Sequence, residues 1–288
     1  MKKIYQSNFS KILLTSLLSS SLLLSCKKET RPTIDTDQKA AQDNAKGQYV
    51  FNNVNHIVDD AARSQGGVNK MEDTPCMKVI MDSTASDPQN KYFPKTLTCI
   101  FDSTCKAPNG DVRKGKIKIV LTKHISDSGA VITTTFDGFN FNGYKVEGTL
   151  TERNNGPDAT TRMPSYSFTL PDGKITNSSG EVITLNLSQT KQLLKGKGTT
   201  TVSGDSYQLT GSSSGTSAGA AFSASITKPL VFDASLPCQF LISGVLEVRQ
   251  TGKDLKSIDF GNGTCSGQAT LSMIGTTTTT VIINQSGK

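Results

Sequence analysis

The chain has no tryptophan, six tyrosines and only two histidines. Each shortage excludes something. Sugar-binding proteins usually grip rings on aromatic platforms, and the aromatic-rich stretches here, Tyr92-Phe93 and Phe139 to Tyr144, read as core or turn packing. Nucleophilic catalysis needs a base, and His56 and His124 are the only imidazoles. His56 falls mid-helix beside Val54 and Ile57, and His124 falls in a loop after a strand. No Gly-x-Ser-x-Gly elbow joins a strand to a helix. The nearest imitation, Gly215-Thr216-Ser217-Ala218-Gly219, has strand-like flanks. Zinc sites want Cys and His clustered at short spacing, and Cys99 and Cys105 are too far apart for that. Asp102, Asp111, Asp259 and Asn262 offer oxygens to calcium, but ordinary turn chemistry explains them. Paired acids for glycoside cleavage are also missing. Asp59 and Asp60 are adjacent on a helix and do not face each other, while Glu147, Glu152, Glu181 and Glu247 sit among polar neighbours on expected solvated sheet faces. No catalytic residue, metal site or cofactor is expected, and the chain reads as a non-enzyme. Dense Lys/Arg runs are absent as well, so no nucleic-acid partner is expected.

Long apolar runs are nearly absent too. One exists, from Ile12 to Leu24, behind Lys2 and Lys3 and ending in Leu23-Leu24-Ser25-Cys26. It is too short to span a bilayer comfortably and has the flanks of a secretory signal. The small residue before a cysteine is the pattern of a lipobox, so residues 1–25 read as a lipoprotein signal peptide and Cys26 as the lipid-accepting residue. Cleavage leaves 263 of 288 residues and lowers the formal charge from +7 to +4, because three lysines leave with the signal. The expected partner is therefore a membrane, held through lipid at Cys26, together with an unidentified surface partner.

The mature part divides by pattern. Residues 26–36 are polar and contain Pro32, as a tether does. Residues 37–66 carry Ala40, Ala41, Ala45, Tyr49, Val50, Val54, Ile57, Val58, Ala61 and Ala62 at three-to-four spacing, which predicts an amphipathic helix stopped by Gly66-Gly67. From about residue 75 to 285 the period becomes two. Segments 116–121, 145–150, 165–170 and 182–187 alternate apolar and polar residues, with Thr, Val and Ile prominent. Turn signals recur at Asn109-Gly110, Asp137-Gly138, Asn142-Gly143, Asp172-Gly173, Ser179-Gly180 and Gly204-Asp205. Tyr207-Gln208-Leu209 and Phe222 to Ile226 read as two arms of a hairpin, and Thr276 to Ile283 as a last strand. The fold class is all-β: an antiparallel meander forming a sandwich or a curled open barrel, with one N-terminal amphipathic helix.

Five cysteines remain after Cys26 is set aside, and export permits disulfides. An internal echo organises them. Pro75-Cys76 and Pro237-Cys238 each open an apolar strand, and Thr104-Cys105 and Thr264-Cys265 close segments 75–123 and 237–275. TLTCIFDSTC and LKSIDFGNGTC align with Phe101 against Phe260 and Cys99 against Ile258. The echo pairs Cys76 with Cys105 and Cys238 with Cys265, leaving Cys99 a buried thiol in an isoleucine-like slot. The rival pairing is Cys99 with Cys105.

The lipobox, YFPKTLTCIFDSTCKAPNGDVRKGKIKIVLT, ITTTFDGFNFNGYKVEGTLT, SITKPLVFDASLPCQFLISGVLEV and IDFGNGTC together resemble a family of uncharacterised secreted lipoproteins of Bacteroidota. The likeness covers most of residues 76–283. It departs at Cys99-Ile100-Phe101-Asp102, where Ile-Asp-Phe-Gly is the family's pattern, while Gly261 and Gly263 keep the second copy. Lys27-Lys28-Glu29 partly resembles the surface-export tag of such lipoproteins. The resemblance implies an outer-membrane protein, lipid-anchored and displayed at the cell surface, with the periplasmic face as the alternative location. The function expected is a scaffold or binding module. The alternative is a carrier or sensor of an apolar ligand enclosed by the curled sheet, with the helix as its plug.

Overall fold

The computed structural model describes residues 36–64, 77–82, 93–107, 110–199, 202, 204–234, 238–274 and 279–286. The expected signal peptide and the expected tether before Thr36, with Cys26, Cys76 and Tyr92, lie outside the described residues. Among the described residues one helix, α1 (Thr36–Ser64), precedes fourteen strands: β1 (Met77–Asp82), β2 (Lys95–Lys106), β3 (Val112–Leu121), β4 (Val131–Phe141), β5 (Tyr144–Glu147), β6 (Thr149–Pro157), β7 (Pro164–Thr176), β8 (Val182–Lys195), β9 (Ser206–Ser217), β10 (Ala220–Asp233), β11 (Leu241–Gln250), β12 (Leu255–Asn262), β13 (Gln268–Ile274) and β14 (Thr279–Asn284). All belong to one antiparallel sheet in chain order, except that β5 and β6 share the place between β4 and β7. This is the meander, in the curled form rather than the sandwich.

Three of the six turn signals act as turns, and Asn109 of a fourth lies outside the described residues. Asn142-Gly143 joins β4 to β5, Ser179-Gly180 joins β7 to β8, and Gly204-Asp205 leads into β9. Two do not. Asp137-Gly138 lies inside β4 and Asp172-Gly173 inside β7. Both sit at register shifts, Lys114/Lys116 opposite β4 and Leu170/Gly173 within β7, so the strand bends there instead of reversing. Such bends let a long sheet curl.

The curl encloses α1. Strands β2, β3, β8, β9, β11 and β12 all contact the helix. The apolar positions read from sequence, from Ala40 to Ala62, are all buried. So are Asp43, Asn44, Gln48, Asn52, Asn53, Asn55 and Asp59, which belong to the polar face. An amphipathic helix normally shows that face to water. Here both faces meet the sheet. Leu97, Ile117, Ile119, Phe139, Leu150, Phe168, Leu185, Leu246, Ile258, Phe260 and Leu271 point inward to complete the core.

Candidate functional site

The polar face of α1 needs polar partners, because an unpaired buried polar group costs about 1–3 kcal/mol. Residues four apart on a helix stack on one side, which aligns Asn55, Asp59 and Arg63. Strand parity supplies the other half. Leu150, Glu152 and Asn154 share the inner side of β6, and Leu187, Gln189 and Lys191 share the inner side of β8. Lys191 is registered opposite Tyr166, and Leu193 opposite Tyr207.

Lys191 is the centre of the resulting cluster. Its Nζ donates to Asp59 Oδ2 at 2.6 Å and Asn55 Oδ1 at 2.9 Å, and lies 2.7 Å from Glu152 Oε1. Asn55 Nδ2 donates to Glu152 Oε2 at 2.6 Å. The ammonium also faces the rings of Tyr166 and Tyr207, 5.0 and 5.5 Å from their centroids. One turn further along the helix, Arg63 pairs with Asp205 at 2.6 Å. Burial alone lowers a lysine pKa, but Asp59 and Glu152 overcome it and hold Lys191 above its usual range. Two carboxylates share that one ammonium. Burial, with the Asp59 charge adding to it, pushes Glu152 up to about 7. Burial also holds His56 down at about 4 and raises Tyr166 to about 12.

A cavity of about 10 Å³ lies among His56, Asp59, Arg63, Tyr166, Lys191 and Tyr207. That is the room of one water, not of a substrate. Toward the start of α1 the same polar seam continues. Asn44 Nδ2 donates to Ser213 at 2.9 Å, Ser217 donates to Asp43 at 2.6 Å, and Gln189 Nε2 donates to Gln48 at 3.2 Å.

Several expectations about single residues change. Glu152 is not on a solvated face; it is buried inside the sheet, because it shares the parity of Leu150. That parity, set beside a helix rich in Asp and Asn, was the available signal. Glu147 and Glu247 do lie outside, Glu147 bonded to Lys145 and Lys174. Glu181 pairs with Lys39. Asp59 and Asp60 diverge, Asp59 to Lys191 and Asp60 toward the Val202 amide. His124 stays in its loop, its Nδ1 accepting from the Ser126 amide. The four oxygen donors part company: Asp111 is buried and bonded to Tyr49 and Asn142, whereas Asp259 accepts from the Gly261 amide on the surface. Among the described residues no three His, Cys, Asp or Glu side chains group as a metal site. Ser217 is held by Asp43, away from any imidazole contact. Cys238 and Cys265 form a disulfide, Cys105 is disulfide-bonded, and Cys99 is a buried free thiol, pushed up to about 12 by burial. The Cys99–Cys105 pairing is thereby excluded.

On the outside, a shallow groove of about 470 Å³ runs along the β10–β11–β12 rim, lined by Phe222, Ser223, Arg249, Gln250, Lys253 and Leu255 among others. No family model, curated protein or solved structure matches the chain.

Proposed function

We propose that this chain is an outer-membrane lipoprotein, anchored at Cys26 and displayed at the cell surface, that works as a non-enzymatic scaffold or binding module through its outer sheet face and loop tips. The observation that carries this reading is the filling of the sheet. Helix α1 takes up the interior, its apolar side packed and Asp43, Asn44, Asn55 and Asp59 of its polar side bonded to the sheet, while Asn52 Nδ2 and His56 Nε2 are buried without a hydrogen-bond partner. A carried ligand needs that space, and the cavity beside Lys191 is about 10 Å³. The ionisable cluster is enclosed and already engaged with itself, which fits a structural role better than turnover. Binding therefore falls to the outside, where Thr, Ser and Lys alternate with the buried residues. The likeness to Bacteroidota secreted lipoproteins and the Leu-x-Ser-Cys ending support the anchor and the location.

Two measurements test it together. Incorporation of an alkyne-tagged fatty acid is expected in the native host and is expected to vanish in Cys26→Ala. Protease shaving of intact cells, read by mass spectrometry, is expected to release peptides of the β domain. Full protection of the acylated protein until the outer membrane is breached would move it to the periplasmic face and end the surface reading.

A further inference from the structure

We propose that the end of the molecule at which α1 begins rests on the bilayer interface, its rim holding anionic lipid headgroups; this rests on lipid attachment at Cys26. Thr36 lies ten residues after Cys26 in the sequence. Ten residues span at most about 35 Å when fully extended, so a lipid at Cys26 tethers this end of the helix within that reach of the membrane.

The strand register shows which residues share that end. The Asn142 amide donates to the Val112 carbonyl, Lys145 pairs with Thr176, and Thr176 pairs with Val182. Ile183 pairs with Ser217, whose hydroxyl reaches Asp43 in the second turn of α1. Phe222 then pairs with Gln250, and Leu255 with Ile274. Val112, Val182 and Ile274, exposed at 43, 39 and 44 %, are thus three large apolar side chains on one rim. Beside Ile274, opposite Leu255, runs the groove lined by Phe222, Leu255, Arg249 and Lys253 among others, with no carboxylate among its lining residues. The Arg249 side chain is 68 % exposed, its guanidinium 3.8 Å from the Glu247 carboxylate. On this rim Glu147 lies between Lys145 and Lys174 and Glu181 meets Lys39, while Asp254 stands exposed beside Lys253. Scattered apolar side chains beside cations are what a headgroup layer accepts, the chains entering the acyl boundary and the cations meeting phosphate.

The lack of tryptophan supplies a clean reporter. Val182 and Leu194 lie on the same strand, 39 and 42 % exposed, at its two ends. Twelve residues of strand separate them by about 40 Å. Val182→Trp and Leu194→Trp are made in the full chain, purified in acylated form and reconstituted into vesicles of phosphatidylcholine and phosphatidylglycerol containing brominated phospholipid. The Val182→Trp emission is expected to shift to the blue and to be quenched, and the Leu194→Trp emission to be neither. Adding Arg249→Glu and Lys253→Glu is expected to abolish the quenching at position 182. Equal quenching at both positions, quenching at neither, or indifference to the charge reversal overturns the proposal while acylation is intact. A purified protein whose N-terminal peptide lacks acyl mass fails at the anchor instead, and takes the rim with it.

Discussion

At the residue scale, the interior is governed by two groups that titrate in opposite senses within one cluster. Glu152 has a folded value of about 7 against an ordinary 4.5. The native state keeps a proton that the unfolded chain releases, so this contribution is whole below pH 4.5 and is lost as pH rises toward 7. His56 has a folded value of about 4 against 6.5. There the unfolded chain takes the proton, so the contribution is whole above pH 6.5 and is lost as pH falls toward 4. Between 4.5 and 6.5 the two slopes oppose each other. Relative to the natural protein, Glu152→Gln is expected to become more stable as pH rises through this window, and His56→Asn less stable. Each difference is at most one proton, about 1.4 kcal/mol per pH unit. Urea unfolding at three pH values inside the window measures it, and slopes of the same sign for both variants would sink the assignment. The reason the Asp59–Lys191–Glu152 set persists is geometric: removing one member of a buried ion pair costs about 3–5 kcal/mol, since the others stay buried without it.

At the element scale, what was legible in the sequence followed from period, and what was not followed from context. The period of α1 gave its extent to within two residues of Thr36–Ser64, because ten apolar positions repeat without a break. Alternation gave β3, β7 and β8, and the internal echo gave the Cys238–Cys265 bridge and the buried Cys99. Alternation says which residues share a side; it does not say that Glu152 and Lys191 share the inner one, since a polar residue on that side looks like a solvated one until its partner across space is known. For the same reason Asp137-Gly138 and Asp172-Gly173 passed for turns. Gly47 is a further case. A glycine in mid-helix costs about 1 kcal/mol against alanine, yet a Cβ there meets Leu185 Cδ2 at 2.7 Å. The helix passes that close to β8. Gly47→Leu is therefore expected to overpack the contact and lower stability by about 1–3 kcal/mol in spite of its better helix propensity. Chemical denaturation decides it; an unchanged or higher midpoint means that Leu185 gives way and that the helix–strand distance is not fixed there.

At the scale of the whole molecule, the fourteen strands among the described residues form one sheet that closes around helix α1. Five large apolar side chains of α1, Val50, Phe51, Val54, Ile57 and Val58, are buried. At about 1.5–3 kcal/mol each they contribute about 8–15 kcal/mol, as much as the entire stability of an ordinary domain. The helix in turn is poorly suited to stand alone, since Asn, Asp, Gln and Gly occupy many of its positions. Sheet and helix are thus conditions for each other. A chain lacking residues 36–64 is expected to lose cooperative thermal unfolding and near-ultraviolet dichroism, and to bind apolar dye along the exposed inner face. The isolated 36–64 peptide is expected to be mostly unordered in water. The opposite pair of results carries a definite meaning. A truncated chain that melts cooperatively and takes up a fatty-acid probe would make α1 a removable plug over a greasy interior. The carrier reading would then displace the surface module, because the space now filled by Phe51 and its neighbours would be the binding site.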